Sequence, residues 1–433
     1  MSMIIRRIIL ILIIIQWAVN ARGQLSEAIV SGYYLWQLRS AYLSIKDKDI
    51  DLTSNTRLHL SLIDDNVLKF HPQLGCNIGT NVELRINGYK SAYKTIGINP
   101  EYSFIRRAFL PKIWYKMSGD AWIFGASAGR KFEDYNRLNA VRWWGNTKSC
   151  LYTHRNHKSL YERRFANVNL SYLTDNHSSF TLDLEHYEAK SARQVSDFSF
   201  FRRHKDYKLL VPDCERFLPI DTTHSFRNQD NITVKIFKTF PAENQLKGEF
   251  SFTQGVGNLD NSVAFSRVEA RLQQTISLPF ANFVDAIFFD APNTIYWSIG
   301  AGYMTNNDAH DVKFSDWMHF ASAERVFASS TKDGFSSFVT FSPYEMSTRK
   351  WYVSLNAHVS LNEFIFSQIR SLQKARVTEE LYLNHACVEG EKNYTEVGYA
   401  LVILKQVRYA AFVSLKDFEY KGVNFRLGVN LWN

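Results

Sequence analysis

Apolar and polar residues alternate along much of this chain. The clearest example is the run 351–362, whose apolar members are Trp351, Val353, Leu355, Ala357, Val359 and Leu361. Successive side chains of a β-strand point to opposite faces, so this period of two predicts a strand with one apolar and one polar face. The pattern recurs up to the final stretch, 420–433. We therefore expect an all-β fold that buries a long apolar face, either against a second sheet or in lipid.

The first 23 residues have the features of a secretory signal. Arg6 and Arg7 form a charged region, an Ile/Leu run follows at 8–15, and Val19-Asn20-Ala21 offers small residues for cleavage. The apolar run is shorter than the roughly 20 residues that cross a bilayer as a helix, so we interpret 1–23 as a signal peptide. No later run is long enough for a transmembrane helix, and a closed β-barrel is the other structure that spans membranes.

The strand pattern favours lipid over a second sheet. Many predicted strands reach ten residues, and aromatic pairs such as Trp114-Tyr115 stand at strand ends, as in an aromatic girdle. We expect a transmembrane antiparallel β-barrel of about 14 strands, in a range of roughly 12 to 16. The barrel is predicted over 71–433, and 24–70 is predicted to be a short N-terminal helix or first strand. The long loops are expected near 141–162, 190–222 and 305–334.

Two stretches late in the chain need separate interpretation. A strand is predicted near 335–343, before the strand at 350–362. Ile365, Ile369 and Leu372 instead have helical spacing, so 363–376 is predicted to be a short amphipathic helix or an irregular turn. The last three strands are then expected near 392–404, 406–417 and 420–433.

Charge and cysteine content exclude several functions. Lysine and arginine number 51 against 42 acidic residues, and the resulting charge of +9 is scattered rather than clustered. An exported protein does not meet nucleic acid, so we interpret this charge as solvated loops near anionic lipid. The four cysteines form no CxxC and are Cys76, Cys150, Cys214 and Cys387. We expect no metal and no cofactor, while one or two disulfides remain open.

Four stretches carry a resemblance to a known family. Residues 158–166 (KSLYERRFA) resemble a "KLYEK-F" stretch, and 314–320 (FSDWMHF) resemble "FPDFKHF". Residues 356–374 are similar to "HFNGFLLNKIPLLKKLK", and Glu396-Val397-Gly398 is similar to the start of "YEVGVGIENI". These motifs belong to the DUF5686 family of outer-membrane proteins in Bacteroidota. The resemblance covers about 71–433 and implies an outer-membrane barrel of unknown function, here without the small N-terminal β-sandwich usual in the family.

Three polar residues are candidates for a lumen or loop site. His319 follows Asp316 in the family-like stretch, and His358 falls on the polar face of its strand. For His319 the alternative is a structural hydrogen bond that fixes the loop near 305–334. No GxSxG sequence occurs, and a Ser-His-Asp set cannot be read from sequence when serine and histidine are plentiful. We therefore expect no catalytic site.

Together these observations predict a non-enzymatic barrel in the cell outer membrane, acting as a passive channel or as a structural subunit of an envelope assembly. The expected partners are outer-membrane lipid and lipopolysaccharide, the barrel-assembly machinery and other envelope proteins, but not nucleic acid. Two alternatives stay open. One is an outer-membrane barrel hydrolase acting on lipid or peptide, and the other is a secreted β-sandwich binding module.

Overall fold

The computed structural model describes most of the chain after residue 46. The described residues are 47–61, 68–88, 92–139, 141, 143–174, 178–201, 207, 227–240, 246–257, 262–278, 293–306, 312–322, 328–329, 338–341, 344–362, 365, 377–390, 393–403 and 407–429. Within these ranges no helix is both long enough and apolar enough to cross a membrane.

Twenty strands account for nearly all regular structure in the described residues. They are β1 (Asp47–Thr53), β2 (Thr56–Ser61), β3 (Leu68–His71), β4 (Gly75–Gly79), β5 (Asn81–Asn87), β6 (Tyr93–Ser103), β7 (Ala108–Ser118), β8 (Trp122–Asp134), β9 (Leu160–Leu173), β10 (Ser179–Ser191), β11 (Arg227–Thr239), β12 (Lys247–Val256), β13 (Phe265–Ser277), β14 (Thr294–Asn306), β15 (Ala328–Ser329), β16 (Trp351–Leu361), β17 (Val377–Val388), β18 (Tyr394–Ile403), β19 (Val407–Lys416) and β20 (Glu419–Val429). The helical elements are short: α1 (Trp143–Lys148), a π-helical turn (Ser149–Thr153) and a 3-10 turn (Phe314–Asp316).

The strands form one antiparallel meander. β1 pairs with β2, β2 with β5, and each strand from β5 to β13 with the next one. β14 then pairs with β16, and the strands from β16 to β20 continue in order. The β3–β4 hairpin attaches to β6, and the short β15 runs parallel to the end of β20.

The two faces of the sheet differ as the alternating pattern predicts. On β16 the side chain of Val353 is 45% exposed, whereas Ser354 and Asn356 are at most 9% exposed. On β20 Val423 is 43% exposed and Arg426 only 7%. The apolar face is therefore the outer face, and the polar face is turned inward.

The sheet curves around the connection between β14 and β16. Groups of that connection hydrogen-bond to β10, β11, β13, β18 and β20, which are distributed over most of the meander. A flat sheet cannot bring strands so far apart in the ladder to one short segment, so the sheet is curled into a barrel. The predicted all-β barrel is confirmed, and the single sheet excludes the β-sandwich alternative, which needs two facing sheets.

The hydrophobic core lies inside the barrel, between the wall and this connection. Four buried clusters each combine wall residues with residues of the connection. The largest aromatic one contains Tyr135, Tyr161, Phe165, Tyr187, Phe314 and Tyr344. The inner wall is apolar around these clusters, so close packing there requires protein side chains rather than water. The connection between β14 and β16 supplies them.

The predicted strand count was too low. Residues 47–61 of the ambiguous N-terminal stretch form β1 and β2, and the 12-residue strand β17 was missed altogether. Near its start, at its third and fourth residues, β17 has Glu379-Glu380, two adjacent acidic residues that are buried rather than solvated, so its first residues do not show the expected alternation. The barrel thus reaches 17 meander strands in the described residues instead of about 14.

The strand predicted near 335–343 is also wrong for its described part, 338–341. Phe338 makes only an isolated bridge, because the next two backbone N–H groups donate to a carboxylate rather than to a strand. The predicted loop at 141–162 contains α1, and β9 already begins at Leu160. The signal peptide and nearly all of the predicted helix at 363–376 lie outside the described residues.

Close packing between β18 and β19 gives a first prediction. A Cβ atom at Gly398 would lie 2.3 Å from the ring of Phe412. That ring is fully buried, so it has little space to move away. Gly398→Ala should cost about 1–3 kcal/mol of the free energy of unfolding. Gly422→Ala is the control, because no atom lies within 4 Å of its Cβ position. Urea unfolding of the two variants should differ accordingly, and equal midpoints would contradict this packing.

Candidate functional site

The connection between β14 and β16 is the most distinctive feature of the interior. We call three parts of it, 312–322, 338–341 and 344–350, the inner segment; the connection also contains the short strand β15. It begins with the 3-10 turn, and a bridge between Met318 and Thr348 brings its two ends together. Ser322 and Phe338 form a second, parallel bridge. The inner segment is therefore a folded unit rather than a loose loop.

His319 joins the two ends of the inner segment. Its Nε2 lies 2.9 Å from the carbonyl oxygen of Phe314, and its Nδ1 lies 2.7 Å from Oγ of Ser347. A carbonyl only accepts, so Nε2 carries the proton and Nδ1 accepts from the serine hydroxyl. Burial lowers the pKa of His319 to about 3; the Phe314 bond opposes this, and the charges of Arg267 and Arg137 add to it. The imidazole is thus neutral at ordinary pH.

Asp316 fixes the first part of the inner segment to the wall. Its carboxylate accepts a hydrogen bond from the hydroxyl of Tyr187 on β10, and its carbonyl accepts one of 2.7 Å from Arg267 on β13. Lys313, buried beside it, donates to the carbonyl of Asn228 on β11 at 2.9 Å and lies over the Tyr187 ring. These contacts tie the turn to three strands at once.

Glu396 on β18 holds the middle of the inner segment. Its two carboxylate oxygens accept hydrogen bonds from the backbone N–H of Val339 at 2.7 Å and of Thr340 at 3.0 Å. Asn384 of β17 donates to the same carboxylate at 2.8 Å. The carbonyl of Val339 in turn accepts from Arg426 on β20 at 2.8 Å. One buried carboxylate and one buried guanidinium therefore replace the strand partners that these peptide groups lack.

Tyr344 fixes the last part of the inner segment to the end of β8 and the start of β9. Its hydroxyl donates to Asp134 at the end of β8 and accepts from the backbone N–H of Ser159 at 2.6 Å, just before β9. Asn136 adds a 2.9 Å bond to the carbonyl of Phe320. Because all these groups are buried, each bond satisfies a polar atom that water cannot reach.

The three residues singled out from sequence do not form one site. Asp316 and His319 both belong to the inner segment, but each bonds to other partners and not to the other. His358 lies on the inner face of β16, where its ring stacks on Tyr382 of β17 at 5.0 Å. Among the described residues, no hydrogen bond or ring contact links His358 to the other two. The hydrogen bonds of His319 are those expected of a residue that fixes this loop, which was one of its two interpretations.

Sequence reasoning missed the wall residues that hold the inner segment: Asp134, Tyr187, Asn228, Arg267, Glu396 and Arg426. Glu396 gave some signal, because a glutamate interrupts an otherwise apolar strand there. In the described residues no group of three or more histidine, cysteine or acidic side chains could hold a metal. Cys76, Cys150 and Cys387 are free thiols, and Cys214 lies outside the described residues.

The fold and its interior define a β-barrel with a folded segment clasped inside the wall. Residues 46–401 match the family profile named "Family of unknown function (DUF5686) C-terminal domain". The chain therefore belongs to the DUF5686 family, as the motif resemblance indicated. No protein with a curated description matches the sequence.

Two solved structures are similar at low identity. BamA from Haemophilus ducreyi lacking POTRA domains 1-3 has a TM-score of 0.45 and 12% identity, over 94% of this chain and 80% of that one. CdiB from Acinetobacter baumannii has a TM-score of 0.38 and 11% identity, over 84% of this chain and 56% of that one.

The neutral, buried His319 predicts that acid loosens the inner segment. Between its folded pKa of about 3 and the ordinary value near 6.5, only the unfolded form binds the proton. The stability that neutral His319 contributes should therefore be fully present above about pH 6.5. It should fall as the pH drops from about 6.5 towards about 3. We expect faster proteolysis of the inner segment at about pH 4.5 than at pH 7, and a smaller change in His319→Gln.

The comparison between wild type and variant is needed because His157, in the loop after β8, is also buried and has a pKa lowered to about 4. Its contribution has the same sign and remains in both proteins. An identical pH dependence in wild type and His319→Gln would contradict the assignment to His319.

Proposed function

We propose that this protein is an integral barrel of the outer membrane. The observation that supports this is the number of large apolar side chains exposed on the outer face, strand after strand. They include Ile96, Ile113, Val168, Leu184, Ile232, Phe250, Leu272, Ile299, Val353, Leu383, Val397 and Phe425. A water-soluble surface rarely exposes contiguous apolar area on this scale, whereas a lipid-facing barrel surface requires it. Outer-membrane lipid and lipopolysaccharide are then its neighbours, and the barrel-assembly machinery its insertion route.

A charge placed on the outer face should oppose membrane insertion. Val397→Arg on β18 puts a cation on the proposed lipid surface and should cost about 2–4 kcal/mol near the bilayer centre. Asn424→Arg, on the inner face of β20, is the matched control because its side chain faces the interior. Urea-washed membranes of expressing cells should contain the control and much less of Val397→Arg. Equal recovery of both would argue against a lipid-facing outer surface, and release of the wild type by urea would argue against membrane integration.

We further propose that the barrel is a structural subunit of an envelope assembly rather than an open passive channel. The support is the inner segment, which is joined to six places on the wall by buried hydrogen bonds and packs into four hydrophobic clusters. An open pore keeps a water-filled lumen instead. A clasped interior suits a rigid scaffold whose outer rim and loops contact other envelope proteins.

Planar-bilayer recording tests this role. The purified wild-type barrel should show little steady conductance. Glu396→Ala removes the carboxylate that holds Val339 and Thr340, so this variant should open more often and conduct more. Glu249→Ala removes an exposed inner-face carboxylate of β12 that lies away from the inner segment, and it should behave as wild type. A large, steady wild-type current would refute the scaffold and restore the passive channel.

One contact favours the barrel hydrolase as a second candidate. Ser347 donates to His319, which donates onward to the Phe314 carbonyl, so a nucleophile, a base and an orienting group stand in line. In serine hydrolases the third group is a carboxylate that stabilises the imidazolium formed during attack. Here it is an uncharged carbonyl, and the His319 pKa of about 3 makes that imidazolium unfavourable. We therefore propose that the protein is not an enzyme.

Activity assays decide between these two candidates. We expect the purified barrel to hydrolyse neither phospholipid nor peptide above background, and Ser347→Ala and His319→Ala to change nothing in either assay. A true nucleophile and base would each account for several orders of magnitude in rate. Hydrolysis that disappears in both variants, with the barrel still folded by heat-modifiable gel migration, would establish the hydrolase.

A further inference from the structure

A second feature of the interior lies near the other mouth of the barrel. In the antiparallel ladder the even-numbered strands from β6 to β14 end at the mouth from which the inner segment leaves, whereas β5 ends at the opposite one. There the inner face of β5, β6 and β7 lines an open recess of about 440 Å³. Its principal lining residues are Glu83, Arg85, Tyr93, Thr95, Trp114 and Lys116.

The recess exists because the middle strand has small residues. Thr95 and Gly97 of β6 stand between larger partners on both neighbouring strands. Arg85 and Lys116 flank Thr95 in register. Since directly opposed residues share one face of a sheet, their side chains rise around a low centre and make a recess in the wall.

Trp114 forms one side of this recess in a fixed position. A Cβ atom at Gly97 would lie 2.2–2.4 Å from three atoms of the indole, so the ring lies across the space that the glycine leaves open. Only glycine at position 97, which has no Cβ atom, lets the indole of Trp114 lie this close to the backbone of β6. Trp114 therefore presents a large, immobilised aromatic surface to the barrel interior.

Hydrogen-bonding groups of both kinds surround the aromatic surface. Glu83 supplies carboxylate acceptors and is paired with Arg85 at 2.8 Å, while Arg85 keeps further N–H donors. Lys116 lies 5.8 Å over the ring of Tyr93 and adds a cation and three donors. The recess thus combines a flat apolar platform, a second aromatic ring, and donors and acceptors at its rim.

We propose that this recess binds a saccharide ring of a glycan. The C–H face of a sugar packs on an indole, and its hydroxyls both donate and accept, which matches the carboxylate, guanidinium and ammonium around Trp114. A bare phosphate would find the guanidinium of Arg85 already engaged by Glu83 and would leave the platform unused. A purely apolar ligand would leave the charged rim unpaired. The site is separate from the inner segment and from the hydrogen bonds that hold it.

Calorimetric titration of the full-length barrel tests this proposal. The protein is held in lauryldimethylamine oxide, because a sugar-headed detergent would compete. The probes are maltohexaose, chitohexaose and a galacturonic acid hexamer, with inorganic phosphate as the anion control. At least one oligosaccharide should bind saturably below about 10 mM. Trp114→Ala should weaken that binding on the order of tenfold or more, since a central aromatic anchor dominates such contacts.

Trp122→Ala is the matched control, because it removes a 52% exposed tryptophan from β8 and should leave binding unchanged. Gly97→Val, which displaces the indole, should reproduce the loss of binding. If that variant does not fold, Lys116→Gln removes a rim cation and should weaken the same oligosaccharide. The proposal is overturned if no oligosaccharide binds, if Trp122→Ala has the same effect as Trp114→Ala, or if phosphate alone binds with the same sensitivity to Trp114.

Discussion

The structure depends on one constraint: a peptide segment inside a barrel must find partners for its polar groups on the surrounding wall. The inner segment has almost no strand pairing, so its N–H and C=O groups would be unsatisfied without side chains aimed at them. Glu396 accepts hydrogen bonds from the N–H groups of Val339 and Thr340, and Arg426 donates to the carbonyl of Val339. Arg267 donates to the carbonyl of Asp316. Losing such a partner leaves a buried polar group without solvation, which costs about 1–3 kcal/mol per group.

This constraint also explains why the two faces of the sheet carry different kinds of side chain. The outer face needs only apolar side chains, and residues such as Val353 and Val397 supply them without specific partners. The inner face must be specific, because the same carboxylate that holds the inner segment would be costly if the segment were elsewhere. Aromatic residues such as Tyr187 and Tyr344 suit both needs, since their rings pack in the core while their hydroxyls reach Asp316 and Asp134.

Local pattern was enough to predict the barrel, but not its interior. Period-two alternation placed Val353 and Ser354 on opposite faces, because facing depends only on neighbouring residues. β17 was not predicted because two adjacent glutamates, Glu379 and Glu380, are typical of a solvated turn, although both are buried here. Burial of a carboxylate depends on partners that can lie far along the chain. The Glu396 clasp joins residues 57 positions apart, so no local signal reports it. For His319 the sequence offered a structural hydrogen bond as one interpretation, and its ring does bond to Phe314 and Ser347.

Amide hydrogen exchange of the protein in lipid nanodiscs reports on the backbone groups of the inner segment themselves, and so on whether the wall holds them. The N–H groups of Val339 and Thr340 belong to no strand, yet both donate to the buried carboxylate of Glu396. We predict that they exchange about as slowly as wall amides of β18, and that Glu396→Gln speeds the exchange of both. Exchange of Val339 and Thr340 at the rate of an exposed loop in the wild type would contradict a segment clasped inside the barrel.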